Sequence, residues 1–219
     1  MTSCEQTVTV EYTPCVGVTY HDHFYDAVRI GSQCWLTENL RNSQTSNNDA
    51  IANYHAYKDD EENLQKFGYL YSWYSAMNVP EGDDTAIPAD SIGDNGRPYV
   101  QGICPTGWAV GNTTDFAILS TTVGDATLLK DAGASYWATG RGGVTPNSGF
   151  NARGGGLYNS TLQRFEDLLT GDHYWKPEST PNSTVAGSAV INYFCDSIMS
   201  EESLKTDLRS VRCIRKEAQ

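Results

Sequence analysis

The stretch "RIGSQCWLTENLR", Arg29–Arg41, carries the most regular pattern in the chain. Val28 and Ile30 alternate ahead of Gly31-Ser32-Gln33, which can turn the chain, and Cys34 and Leu36 share a face beyond it. The pattern predicts a β-hairpin. Trp35 falls on the opposite face, so one side of the ribbon carries small aliphatic groups and the other a large ring that needs its own pocket. Both faces therefore need cover. Glu38-Asn39 stand where the strand must exit, and the short amide of Asn39 suits a structural role, satisfying loop backbone.

The rest of the chain sets the bounds. Its 219 residues suit one large domain with a real core. Fifteen Lys and Arg against 27 Asp and Glu give a net charge of −12, which repels phosphate backbones and anionic headgroups; nucleic acid is not an expected partner. Twenty glycines, 13 tyrosines and five tryptophans point to short strands and long loops rather than a helical bundle. Six cysteines without a C-x-x-C pair argue for an exported protein with disulfides, although six allow 15 pairings. No apolar run reaches membrane-spanning length, and "MTSCEQ" has no signal-peptide core, so an export signal is expected to have been removed.

Along the chain, "TVTVEY" (Thr7–Tyr12) alternates like a strand, flanked by Cys4 and Cys15 at a spacing a local disulfide could bridge. Residues 42–49 read as an exposed loop. "DDEENLQKFGYLYSWYSAMN" opens with acids that favour a helix N-terminus and continues with Leu64, Phe67, Leu70, Tyr71, Tyr74 and Met77 at helical spacing, interrupted near Gly68. That aromatic stripe reads as a core face before it reads as a sugar platform. Residues 79–102 lack a period and form a surface excursion. Pro105 and Gly107 demand a turn before Trp108, and Thr113 or Thr114 can cap a helix facing Phe116, Leu119 and Val123 inward. Gly140 to Gly156 is glycine-dense, as where chains approach closely, but lacks the context of a phosphate-binding loop. "DLRSVRCIRK" fits a closing strand.

Chemistry finds little support in the residues. His21 and His23 flank Asp22 at strand spacing, so both imidazoles could meet one metal, but no metal site is assigned. Asn112, Asn159 and Asn182 begin Asn-x-Thr triplets, which would be glycan acceptors in a eukaryotic secreted protein.

Read in order, "VRIGSQCWLTENL", "YKDDEENLQKFGYLYSWYSAM", "GICPTGW", "GFNARGGG", "YWKPEST" and "SVRCIRK" resemble the Fibrobacter succinogenes major paralogous domain, from Tyr25 to Lys216. The resemblance implies an α+β C-type lectin-like fold of short antiparallel strands, one or two helices and long loops. Its termini would be paired through "AVRIG" and "SVRCI", with Trp35 as an anchor. Residues 1–24 would be an N-terminal extension with an extra strand, and 25–219 the lectin-like domain. It favours a Cys104–Cys213 bridge, with Cys4–Cys15 second, whereas a further family cysteine pair is replaced here by Ala56 and Leu64. Ala109, Val110 and Gly111 replace a His-Leu-Pro run, and "YWKPEST" suggests a longer, charged excursion after Trp175.

Members of that family are exported or lipid-anchored surface proteins of Bacteroidetes and Fibrobacter type. The implied function is a non-enzymatic extracellular adhesion module presenting loops to a glycan or surface protein, at the outer-membrane surface and at most peripheral or lipid-anchored. The alternatives are a structural spacer and a formylglycine-generating-type enzyme, which would need reactive cysteines such as Cys195 with Cys213. No cofactor is expected. The fold would admit calcium, for which Glu81, Asp83, Asp84, Asp90, Asp94 and Asn95 could supply oxygens, but the sugar-binding calcium signatures are absent and a solvated acidic loop fits better. The ligand-binding candidates are Trp137, Tyr158, His173 and Tyr193, expected on long loops of the C-terminal half.

Overall fold

The computed structural model describes residues 12–85, 91–92, 98–138, 147–179 and 182–215. Along the chain come β1 (Tyr12–Tyr20), β2 (His23–Ile30), β3 (Gln33–Leu36), β4 (Tyr54–His55), α1 (Glu61–Phe67), β5 (Leu70–Tyr71), α2 (Trp73–Met77), β6 (Ser91–Ile92), β7 (Pro98–Tyr99), β8 (Trp108–Val110) and α3 (Thr113–Val123). Then follow β9 (Gly155–Asn159), β10 (Arg164–Leu168), β11 (Gly171–Ser179), β12 (Val185–Asn192), β13 (Met199–Leu204) and β14 (Cys213–Arg215). One five-stranded sheet runs β1-β2-β3-β14-β8 and a second runs β10-β9-β11-β12-β13.

The α+β lectin-like expectation is overturned. Strand makes up 39% and helix 17%, in two curled sheets that form half-barrels. The cause lies in the C-terminal half, where glycine, serine and asparagine suggest loops but the backbone pairs into β9 to β13. Gly156, at φ +70°, shows why glycine is needed there: a Cβ would stand 2.4 Å from the Glu166 carbonyl of the paired strand. "YWKPEST" is likewise no excursion, since β11 continues through it to Ser179, with a register shift around Pro177, which has no N–H for the ladder.

The opening hairpin forms as read, β2 pairing with β3 across Gly31-Ser32. Its faces divide differently. Val28 stands opposite Trp35, so Val28, Ile30 and Trp35 enter one core, while Ala27, Cys34 and Leu36 enter another. Trp35 is fully buried against Phe116 and Phe150, and its Nε1 donates to Gln33 Oε1 at 3.2 Å. The second sheet divides in the same way, Trp175 and Ala186 facing the first core, Tyr174, Ala189 and Ile191 the second. Each sheet thus lies between two cores, which is why β3 and most of β11 are buried on both faces.

The closing strand does not pair with "AVRIG". β14 pairs instead with β3, Ile214 opposite Trp35, and with β8. Just upstream, residues 208–212 join the two sheets: Arg209 bridges to Tyr71, Ser210 to Tyr174, and Leu208 to Tyr158. At this seam Arg212 is 1% exposed. Its Nε and Nη2 donate to Asn39 Oδ1 at 3.0 and 2.6 Å, its Nη1 to the Leu36 and Phe150 carbonyls, and its guanidinium lies 4.3 Å over the Phe150 ring. Asn39 Nδ2 donates onward to the Phe67 carbonyl, Asp172 Oδ1 and Ser210 Oγ. Asn39 therefore has the structural role its position suggested, in a deeper setting than a strand exit.

The helices follow their end signals. Asp60 caps α1, which stops at Gly68, and α2 buries Trp73, Tyr74 and Met77. Asn112, one residue before the expected threonines, caps α3 in a reciprocal capping box with Asp115. Disulfides join Cys104 to Cys213, as expected, and Cys15 to Cys34 in place of the Cys4–Cys15 alternative. The second bridge forms because β1 lies in the same sheet as the hairpin. Residues 7–11 of the expected first strand, and Cys4, lie outside the described residues.

Candidate functional site

The register of the second sheet puts Tyr174, Ala189 and Ser200 in one row across β11, β12 and β13. Alternation places Lys176 and Gly187 on the same face. α3 covers part of this face, its Phe116 ring stacked on Tyr174 at 5.7 Å. Where α3 begins, the cover stops and a groove of about 530 Å³ opens, lined by Thr113, Lys176, Glu178, Gly187, Ser200 and Glu202 among others. A second lobe of about 340 Å³ runs along α3 past Ala117, Ser120, Ile198 and Met199. Thr113, Lys176 and Ser200 line both lobes and so mark the junction.

Lys176 dominates the junction. It is 4% exposed, and its Nζ donates to Ser200 Oγ at 2.6 Å. Gly187 makes the room, because a Cβ there would lie 3.0 Å from Lys176 Cε. Burial lowers the Lys176 pKa from the ordinary lysine value, the charge of Glu178 opposing the shift. That carboxylate is itself engaged, Oε1 accepting the Thr113 N–H at 2.7 Å where the helix dipole favours negative charge. The site thus offers a recessed ammonium, several hydroxyls and an acidic rim.

The opposite face of the sheet holds a second polar cluster. His173, 5% exposed, has Nδ1 2.8 Å from Arg209 Nη1 and Nε2 3.2 Å from Asp167 Oδ2. Guanidinium can only donate, so in the neutral ring Nδ1 accepts and the proton sits on Nε2 toward Asp167. Burial opposes charging of the imidazole, but Asp167 and Glu201 together raise its pKa above the ordinary value. Arg209 also donates to Glu201 Oε1 at 2.9 Å and to Ser203 Oγ. Neither His173 nor Arg209 lines the groove.

The four expected ligand residues do not form one exposed patch. Trp137 is 2% exposed, its Nε1 donating to the Ala152 carbonyl, and His173 belongs to the buried cluster. Tyr158 is half-buried on β9, edge-on to Phe165 at 5.0 Å. Tyr193 is half-buried just after β12, edge-on to the exposed Phe194 at 5.2 Å. Of the acidic-loop residues, Glu81 accepts from Asn53, Asp83 from Thr85, and Asp84 from Tyr74 and Lys205; Asp90, Asp94 and Asn95 lie outside the described residues. His21 bonds the Gln44 carbonyl and His23 pairs with Glu38 and Arg41. Among the described residues no group of three His, Cys, Asp or Glu is placed to hold a metal ion. Cys213 is bonded to Cys104, so it forms no reactive pair with Cys195.

Lys176 was missed. Its signal was a lysine between Trp175 and Pro177 in an aromatic run, which reads equally as a strand end entering solvent. The chain matches the model of the Fibrobacter succinogenes major domain over residues 28–215, a span that contains Trp35, the Cys104–Cys213 bridge and Arg212. The chain belongs to that family. No curated protein and no solved structure matches it. The family match covers the whole second sheet and every residue that lines the groove, whereas β1 and most of β2 precede it.

Proposed function

We propose that this domain is a non-enzymatic binding module of a bacterial surface protein, holding a glycan or a partner protein in the groove between α3 and strands β11 to β13. The observation that carries the reading is the groove itself, a concavity with the recessed Lys176 ammonium at its junction, on a rigid strand face. Two disulfides support an oxidising compartment, and with it the cell exterior or outer-membrane surface. The test is a glycan and protein array probed with the parent and with Ser200→Trp, which would fill the junction from an exposed strand position. Binding by the parent, its loss in the variant at unchanged melting temperature, and recovery of the ligand chemically intact are the expected results.

A spacer domain in a larger surface protein is the second reading. The burial of Trp137 and His173 favours it, since both rings then serve packing. It gains if Ser200→Trp leaves every detected interaction unaltered.

A further inference from the structure

A buried ammonium is ordinarily matched by a carboxylate, because removing a cation from water without a partner is costly. The other deeply buried cations follow this rule or stack on rings: Lys205 pairs with Asp84 at 3.1 Å and lies over Trp73, and Arg209 pairs with Glu201. Lys176 differs. Among the described residues no carboxylate stands within ion-pair distance of it, and its hydrogen bond goes to a neutral hydroxyl that uses one of three donors. Glu178, whose charge acts on it, does so only through space and is committed to the α3 N-terminus. Glu201, adjacent in the groove wall, directs its carboxylate to Arg209 on the other face. Among the described residues, then, no partner charge completes Lys176, which lines the groove.

Resting on the groove as the binding site, we propose that its ligand is an acidic sugar whose carboxylate pairs with Lys176. The carboxylate follows from the charges, since a single ammonium behind a rim carrying Glu178 and Glu202 suits one monovalent anionic group, and a phosphate, carrying about 1.5 to 2 negative charges at neutral pH, would meet more repulsion there. The sugar follows from the walls. Thr113, Ser183 and Ser200 line the same space, and a wall of hydroxyl side chains suits a polyhydroxylated ring better than an apolar ligand body. Gly187 leaves room for the Lys176 side chain beside this space.

The experiment is calorimetric titration with matched pairs of disaccharides, digalacturonate against digalactose and a glucuronate disaccharide against its neutral glucose counterpart. The expected result is at least tenfold tighter binding of an acidic member than of its neutral match, a difference that Lys176→Met erases and that rising salt weakens. Gly187→Ala, a milder change that crowds the Lys176 side chain, is expected to reduce the difference without abolishing it. A second measurement needs no variant: the acidic sugar, but not the neutral one, should protect the Lys176 amine from reductive methylation, read by mass spectrometry. Equal binding of the members of both pairs, blocked by Ser200→Trp, would overturn the acidic ligand and leave the groove standing. Binding insensitive to Ser200→Trp would overturn the groove as well. Absence of binding by all four sugars, with Lys176 methylated equally in their presence, counts against the proposal.

Discussion

Single residues carry more of this fold than their positions in the sequence suggest. Trp35→Ala removes a fully buried ring between Phe116 and Phe150 and should cost about 3 to 5 kcal/mol in denaturant unfolding. Arg212→Ala should cost a similar amount, about 3 to 5 kcal/mol, because it leaves Asn39 Oδ1 and the Leu36 and Phe150 carbonyls buried without their donors. Arg212→Lys should recover only part of this in the same assay, since one ammonium cannot reproduce the planar fork. Trp35 was legible as a ring in need of a pocket, for alternation alone puts it on a face. Arg212 was not. The alternation of "RSVRCIR" fits a solvated face equally well, and burial of that guanidinium depends on Asn39 and Phe150, 173 and 62 positions away. Lys176 escaped reading for the same reason: what makes it unusual is the lack of a carboxylate partner, a property of the folded neighbourhood.

Elements were legible in proportion to how local their signals are. The hairpin, α1 with its stop at Gly68, and α3 are written in turns, caps and spacing within a few residues. For α3 the Asn112 capping box supplies two reciprocal bonds, and Asn112→Ala should lower stability by about 1 kcal/mol, measured as a shift of the urea midpoint at unchanged slope. Strands β9 to β13 were not legible as a sheet, because their pairing partners and the glycines that let β9 and β10 approach matter more than propensity. The pairing of Cys15 with Cys34 was hidden likewise, since it requires knowing that β1 joins the hairpin's sheet.

At the scale of the whole molecule, covalent and ionic ties set the conditions under which the fold persists. Mass spectrometry of the oxidised protein should find Cys104–Cys213 and Cys15–Cys34. Replacing the first pair by serines should cost about 4 to 5 kcal/mol on the chain-entropy model, since that loop spans 109 residues. Acid should also weaken the fold. Hydrogen bonds from His173 hold the Asp167 and Glu201 carboxyls below their ordinary values of 3.8 and 4.5, and Tyr74 and Lys205 do the same for Asp84. Groups with depressed folded pKa values contribute stability above their unfolded values and lose it as pH falls through the folded ones, so the melting temperature should decline from about pH 4.5 downward. Asp172, raised by burial, opposes this in part. Asp167→Asn should flatten the decline.

The two bridges also fix how the domain answers a mechanical load. A pull entering at Tyr12 and leaving at Arg215 crosses from Cys15 to Cys34 and from Cys104 to Cys213 through sulfur, so β2 and everything from α3 to β13 are shielded from extension. Only the segment from Cys34 to Cys104, with α1 and α2, can pay out, to roughly 240 Å at about 3.4 Å per residue. Stretched to its covalent limit, the molecule would still keep the groove strands inside a closed loop.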